Sequence, residues 1–462
     1  MSIDKILNEA LQLYKPTVEE EEYLLNIADT IIQEARKYSS NYDNIRNITL
    51  EGSLAKKTWI RGREEVDVFV HYDPTTPRDE MEKQIIDLGF KVLKELEGNP
   101  RLMYADHPYV EGKINNVVIN IVACYEVTPP NWLSATDRTP YHTKYIVDKM
   151  SPEVRDHVRL MKAFMARCKV YGAEIKVKGF SGYLTELLIL NYSNFINAVE
   201  AISKWRPPII IDLEKQYTSK DEILKLFPNQ PLIVIDPVDK YRNVASAVSE
   251  EKLSTLIITS KLFLKSPSID FFKPKPRITR TQKFREKVGK RSFVSILFKL
   301  SKWKPPDVLW GELRKSEDSV KRTLERLGFK VYRSDSWTDE IKKCIIICEI
   351  DSNRLPYARL HQGPPVYHPN SLEFIEKWRD NPEKIAGPWI NDLRLYVLRI
   401  EPIRDVKILL KKEIEEGRVG IAKGLIEDIK KGKIITSIDN LIKDKKIAPF
   451  ILEFIDGQLP FT

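Results

Sequence analysis

The chain is poor in the residues that most often hold transition metals. It has four cysteines and six histidines in 462 residues. Cys124 and Cys168 lie in apolar segments and read as buried thiols. Cys344 and Cys348 share one face of the strand-like stretch 341–350, with no Cys or His partner at metal spacing. There is no His-x-x-x-His pair, so the pattern argues against a zinc site. No apolar run approaches ~18 residues, and Met1-Ser2-Ile3-Asp4-Lys5 carries no signal-peptide pattern. The expectation is a cytoplasmic protein with no membrane partner. Internal repeats and low-complexity tracts are also missing.

What is present is charge and length. Lys and Arg number 75 against 66 Asp and Glu, a net charge of +9, which suits a polyanionic partner such as nucleic acid. A chain of 462 residues is too long for one core, and ~150 residues per domain suggests about three.

Residues 1–150 read as mixed α/β. Thr17 and Glu20 form a capping-box pattern ahead of a helix that runs to about Lys37. A strand near Ile48–Leu50 enters the turn Gly52-Ser53, a strand follows over Glu65–Val70, then a helix over Arg78–Leu96 and a strand over Asn116–Ala123. Residues 151–270 read as mostly helical. Ser151-Pro152 starts a helix to about Cys168, and others are expected over Gly182–Val199 and Glu250–Phe263. Residues 271–462 open with the run Lys273–Arg291, which holds nine basic residues and one acid. Strands Phe293–Leu300, Phe329–Tyr332, Cys344–Ile350 and Leu393–Arg399, with helices Pro306–Leu327 and Ser371–Trp378, give a β-α-β-β-α-β order. The fold class is therefore multidomain α+β, with a ferredoxin-like last part and a helical C-terminus.

The chemistry concentrates at Gly52-Ser53 and Glu65-Val66-Asp67. In a strand, Val66, Val68 and Val70 point one way and Glu65 and Asp67 the other, about 6–7 Å apart. A Gly-Ser turn offers backbone N–H groups and a hydroxyl to a phosphate. Carboxylates that hold a divalent metal beside a phosphate cradle suggest phosphoryl or nucleotidyl transfer.

In this region the chain resembles the archaeal, class I CCA-adding enzymes, tRNA nucleotidyltransferases of the polymerase-β-like superfamily. The Gly-Ser and Glu-x-Asp pattern marks the superfamily. Asp137-Arg138-Thr139-Pro140-Tyr141-His142, Tyr171-Gly172-Ala173-Glu174, Gly179-Phe180-Ser181-Gly182-Tyr183 and Asp236-Pro237-Val238-Asp239 with Arg242 make the resemblance specific. It is dense over residues 50–190 and near 236–248, and weak in the last third.

The resemblance implies a nucleotidyltransferase catalytic head, a helical neck and a tRNA-binding body and tail. Its activity is template-independent addition of C, C and A to the tRNA 3′ end from CTP and ATP. It implies Mg²⁺ on Glu65 and Asp67. It implies nucleotide contacts from Gly52, Ser53, Lys56, His142, Lys162, Tyr171 and Arg242. The acceptor and T-arm minihelix of tRNA is the expected partner, and Lys273, Arg277, Arg280, Arg285, Arg291 and Arg314 are candidate RNA contacts. A homodimer is left open. The family carries a third carboxylate on the second strand, where this chain has Asn120 in Val118-Ile119-Asn120-Ile121. Asn offers a carbonyl but no negative charge. The alternative to an active enzyme is thus an impaired tRNA- or nucleotide-binding homologue, or a substituted form.

Overall fold

The computed structural model describes residues 2–104, 106–273, 286, 288–289, 291–457, 459 and 461. The chain forms two compact units, Met1–Arg277 with Gln458–Thr462, and Ile278–Gly457.

The first unit opens with α1 (Ile3–Tyr14) and α2 (Val18–Ser39). The capping box forms as expected at the start of α2, with Thr17 and Glu20 each accepting from the other's backbone N–H. Leu24, Ala28, Ile31 and Ala35 fall on one face and are buried. Next come β1 (Ile45–Glu51), α3 (Gly52–Ala55), β2 (Glu65–Tyr72), α4 (Arg78–Glu95), β3 (Arg101–Tyr104), β4 (Pro108–Ile114) and β5 (Val117–Tyr125). The expected Gly-Ser turn is therefore one turn of helix.

These strands make a five-stranded sheet in the order β1-β2-β5-β4-β3. The β2–β5 pair is parallel and the others are antiparallel. Val66, Val68, Val70, Ile119 and Ile121 are fully buried, along with residues of α2 and α4. Each such side chain contributes about 1.5–3 kcal/mol. Gly89 lets α4 lie close on β4, because a Cβ there would stand 2.7 Å from Val110. Strands β3 and β4 escape the sequence pattern, since β3 has only four residues and β4 carries Pro108 and Gly112, both poor strand formers, on its buried face.

A second core in this unit joins α1, α5 (Thr139–Lys149), α6 (Pro152–Arg167), α7 (Gly182–Tyr192) and α8 (Phe195–Ser203). After them follow β6 (Ile209–Ile211), α9 (Lys220–Leu226), β7 (Leu232–Asp236), β8 (Asp239–Asn243) and α10 (Glu250–Lys265). Phe164, Phe195, Phe263 and Phe272 meet at its centre. The single helix expected over Gly182–Val199 is two. Ser193 takes φ +72° and Asn194 caps α8 by accepting from Asn197 N–H, so the chain restarts the helix in a new direction.

The second unit holds β9 (Ser292–Lys299), the helix Pro306–Leu327, β10 (Val331–Thr338) and β11 (Lys343–Ile350). After them come β12 (Ala358–Pro365), the helix Ser371–Arg379, β13 (Lys384–Asn391), β14 (Arg394–Ile400) and β15 (Lys433–Ile435). The antiparallel order β10-β11-β9-β15 is the ferredoxin-like one. Its fourth strand, however, is β15 and not the expected Leu393–Arg399. The helix Val406–Glu415 packs Val406, Leu410 and Ile414 into the same core as Leu313 and Val320, in place of the expected Ser371–Trp378. The displaced pieces build a separate sheet, β12-β14-β13. There β14 is hydrogen-bonded on both sides and has no edge left for β9.

Candidate active site

The parallel β2–β5 pair sets Asp67 opposite Asn120 in register. Asn120 Nδ2 donates to Asp67 Oδ1 at 2.9 Å, and Asn120 Oδ1 is enclosed without a hydrogen-bond partner. On the other side of Asp67 stands Gly52, at φ +73°. A Cβ on Gly52 would lie 2.0 Å from Asp67 Oδ2, so only glycine admits the aspartate there. Burial raises the Asp67 carboxyl, opposed by the Asn120 hydrogen bond and the Lys56 charge. Glu65 keeps an exposed surface, yet desolvation by the surrounding cleft, then the Asp67 charge, pushes its carboxyl up to about 7.

Glu65 borders a cavity of about 270 Å³ whose lining includes Ser53, Arg63, Lys162 and Tyr171. The Arg63 guanidinium lies 4.7 Å from the centre of the Tyr171 ring. Burial raises the Tyr171 hydroxyl, so it stays a neutral donor.

The segment from Lys57 to Trp59 is tied to α6 by basic side chains that enter the protein instead of solvent. Arg159 donates to the carbonyls of Trp59 and Lys57 at 3.1 and 2.6 Å, and Lys162 to that of Thr58 at 3.0 Å. Three successive backbone acceptors are thus satisfied from one helix face. Behind them, Glu186 is fully buried in α7. It accepts from Lys56 at 2.7 Å, Thr58 Oγ1 at 2.5 Å and Lys162 at 3.2 Å. Burial opposes its ionisation, but the two ammonium groups and Thr58 outweigh it and hold it at about 2. Burial in turn lowers Lys162. Two cations share one anion, so the cluster carries a net positive charge beside the cavity.

A second cluster centres on Asp236 at the end of β7. It accepts from Arg242 at 2.7 Å and from Tyr183 at 3.1 Å, and pairs with His142 Nε2 at 2.9 Å. Burial works against the Asp236 charge, and His142 and Arg242 overcome it, setting the carboxyl at about 2. Burial lowers His142. Tyr183 links the clusters, with its ring stacked 3.9 Å from His142 and 5.7 Å from the Lys56 ammonium. Asp137 is a structural clamp. It accepts from the N–H groups of Tyr125, Leu133 and Ser134, locking the end of β5 to the approach to α5, where His142 sits.

Comparison with known proteins gives the family of each part of the chain. Residues 29–149 match the nucleotidyltransferase domain, 156–273 the second domain of tRNA nucleotidyltransferase, and 290–437 the C-terminal domain of CCA-adding enzyme. The CCA-adding enzyme of Pyrobaculum islandicum is 35% identical over 92% of this chain and 97% of its own length. That of Methanothermobacter thermautotrophicus is 33% identical over 97% and 96%. That of Saccharolobus solfataricus is 36% identical over 88% and 92%. The chain belongs to the archaeal CCA-adding enzymes. Among solved structures, a cytoplasmic RNA terminal U-transferase aligns with TM-score 0.48 at 14% identity, over 59% of this chain and 99% of that one.

As a CCA-adding enzyme the chain shows which expected residues meet. Ser53, Glu65, Lys162 and Tyr171 line the cavity, and Asp67 packs between Gly52 and Asn120. Lys56 joins them through Glu186, and His142 and Arg242 share Asp236. Of the candidate RNA contacts, Arg277, Arg280 and Arg285 lie outside the described residues. Lys273 is exposed. In the second unit Arg291 pairs with Glu349, and Arg314 with Glu317 and Asp335. Sequence reasoning assigned no role to Glu186, Tyr183, Asp236 or Arg63. A signal for Glu186 existed: it is a lone carboxylate amid Leu184, Leu187 and Leu188, which is costly to bury without partners. No helix among the described residues is long and apolar enough to cross a membrane.

Proposed function

We propose that the chain completes the 3′ end of tRNA, adding C, C and A from CTP and ATP without a nucleic-acid template and releasing pyrophosphate. The observation that carries this reading is one cavity that sets Ser53, Lys162 and Tyr171 beside Glu65, with Asp67 next along the strand. The residues present fit a hard divalent cation. Two carboxylates and an amide oxygen with no hydrogen-bond partner form an all-oxygen donor set. Glu65 and Asp67 would hold the ion, and the Asn120 carbonyl could contribute a neutral oxygen. When bound, Mg²⁺ lowers the pKa of the primer hydroxyl and supports the leaving pyrophosphate.

In this reading Gly52 and Ser53 hold the terminal phosphates. The Lys56–Glu186–Lys162 cluster, one charge short of neutral, attracts them. Tyr171 and His142 border the sugar and triphosphate, and Arg242, steadied by Asp236, selects the base. Residues 1–150 act as catalytic head, 151–270 as neck, and 271–462 as body and tail. The basic residues from Lys273 onward contact the acceptor arm, and the enzyme works in the cytoplasm, on tRNA. Nothing in the comparisons favours an impaired relative, and Asn120 stands at the register position beside Asp67.

The test is a tRNA lacking its terminal CCA, supplied with CTP, ATP and Mg²⁺. Extension by three nucleotides is expected. No extension by this chain or by Asn120→Asp refutes the reading. Extension by Asn120→Asp alone assigns the fold and substrate correctly but places the native chain among impaired relatives.

A further inference from the structure

One cation at the cavity has no part in the chemistry described so far. Arg63 lies in the loop between α3 and β2, two residues before Glu65. The loop is tied down on both sides of it. The Arg61 N–H donates to the Tyr14 carbonyl at 2.9 Å, and the Glu64 carbonyl accepts from the Val118 N–H at 3.0 Å. The Arg63 N–H donates to the Ile60 carbonyl at 3.2 Å. The residue is exposed and lines the cavity with Ser53, Glu65 and Lys162. Among the described residues its guanidinium has no hydrogen bond and no ion pair, and the face of the Tyr171 ring steadies it.

The two lysines nearby are already engaged. Lys162 donates to the Thr58 carbonyl, Thr58 Oγ1 and Glu186 at 3.0, 3.0 and 3.2 Å, and an ammonium has three protons to give. Lys56 is buried and donates to Glu186. Their cluster lends the cavity positive charge, but Lys162 has no N–H left for a ligand. Arg63 lines the same cavity with its donors open, and a planar guanidinium can grip a phosphate through two parallel hydrogen bonds. We propose that Arg63 binds the outer phosphates of the incoming nucleotide and the pyrophosphate that leaves. This rests on the reading of the cavity as the nucleotide site. Ser53 and Glu65, the phosphate and cation positions of that reading, line the cavity with Arg63, which favours this small anion over a backbone phosphate of RNA.

The experiment is calorimetric titration of the full chain at pH 8 with pyrophosphate and with ATP, each with Mg²⁺ and without RNA. It compares wild type, Arg63→Gln and Arg63→Lys. Arg63→Gln is expected to weaken both ligands about tenfold or more, the scale of lost hydrogen bonds to a charged group. Arg63→Lys, which keeps the charge and loses the fork, should recover part of the affinity. Because Arg63 is exposed, the ligand-free melting temperature should stay within about 2 °C of wild type. If Arg63→Gln melts lower, Arg63→Lys carries the comparison. Mn²⁺ alone should bind Arg63→Gln no more weakly than wild type, since a nearby cation has been removed. Unchanged affinity for pyrophosphate and ATP overturns the inference. So does an equal loss of Mn²⁺, which would mean that Arg63 acts through Glu65. A loss confined to tRNA, read by filter binding, also overturns it and assigns the guanidinium to the RNA backbone. If the chain extends tRNA while pyrophosphate affinity ignores Arg63, only this inference falls. If it neither binds ATP nor extends tRNA, the functional reading falls with it.

Discussion

Replacing Glu186 by Gln tests the electrostatic logic of the site. The side chain keeps its shape and still accepts from Thr58, but two ammonium groups lose their only shared counter-charge. Removing one partner of a buried ion pair costs about 3–5 kcal/mol. The structure offers one escape, which is that a lysine sheds its proton. From an ordinary lysine pKa of ~10.4, that costs about 4–5 kcal/mol at pH 7 and about 2 at pH 9. The expected destabilisation is thus about 4 kcal/mol at pH 7, roughly 8–15 °C in melting temperature for a unit of a few hundred residues.

The sign of the pH dependence follows from the lysine. In the variant its folded pKa falls further below the unfolded value, so the unfolded chain binds more protons. Stability relative to wild type should then recover as pH rises, to about 2 kcal/mol lost at pH 9. Pyrophosphate, which adds negative charge at the cavity that Lys162 lines, should raise the melting temperature of the variant more than that of wild type. Differential scanning calorimetry at pH 7 and pH 9, with and without pyrophosphate, reads all three effects. A variant that melts within 2 °C of wild type at pH 7, with no pH trend, refutes the charge-balanced cluster.

Gly52→Ala forces a side chain into the left-handed region, at a cost of about 1–2 kcal/mol, and drives Asp67 from its place. Nucleotide addition to truncated tRNA should fall about 100-fold, the scale of a 1 Å misplacement, with the fold retained by circular dichroism; a near-native rate contradicts the assignment. The Glu65 carboxyl at about 7 must lose its proton to bind a cation. Apparent Mn²⁺ affinity should therefore fall as pH drops from 8 to 6, approaching tenfold per unit below 7, and a flat titration counts against Glu65 as a ligand. Affinity for tRNA should drop at least tenfold between 50 and 200 mM salt in a filter-binding assay, whereas a flat response removes the phosphate-contact role from the basic residues near Lys273.

Much of the fold was legible because local rules decide it. The Thr17–Glu20 box starts α2, and the alternation of Val66, Val68 and Val70 names the buried face of β2. The failures have physical causes. Strand β3 is four residues long with none buried, and Pro108 and Gly112 disguise the alternating burial of β4. The α7–α8 break at Ser193 has no proline or glycine to announce it. In the second unit, a short strand of three residues, β15, takes the sheet position that Leu393–Arg399 had the better pattern for. Edge availability settled that choice, and no window of sequence records it.

The sequence by itself determined which residue types bear the chemistry: the Gly-Ser pair, the Glu-x-Asp carboxylates and the phrases around His142 and Tyr171. Only the tertiary structure decided how their charges are shared. Lys56 and Glu186 are 130 residues apart, and His142 and Asp236 are 94 apart, yet each pair meets in the interior. Helix and strand periodicity speaks for the face a residue takes, over a few neighbours. The pKa of Glu65 and the counter-charge of Lys162 depend on what folding brings against that face.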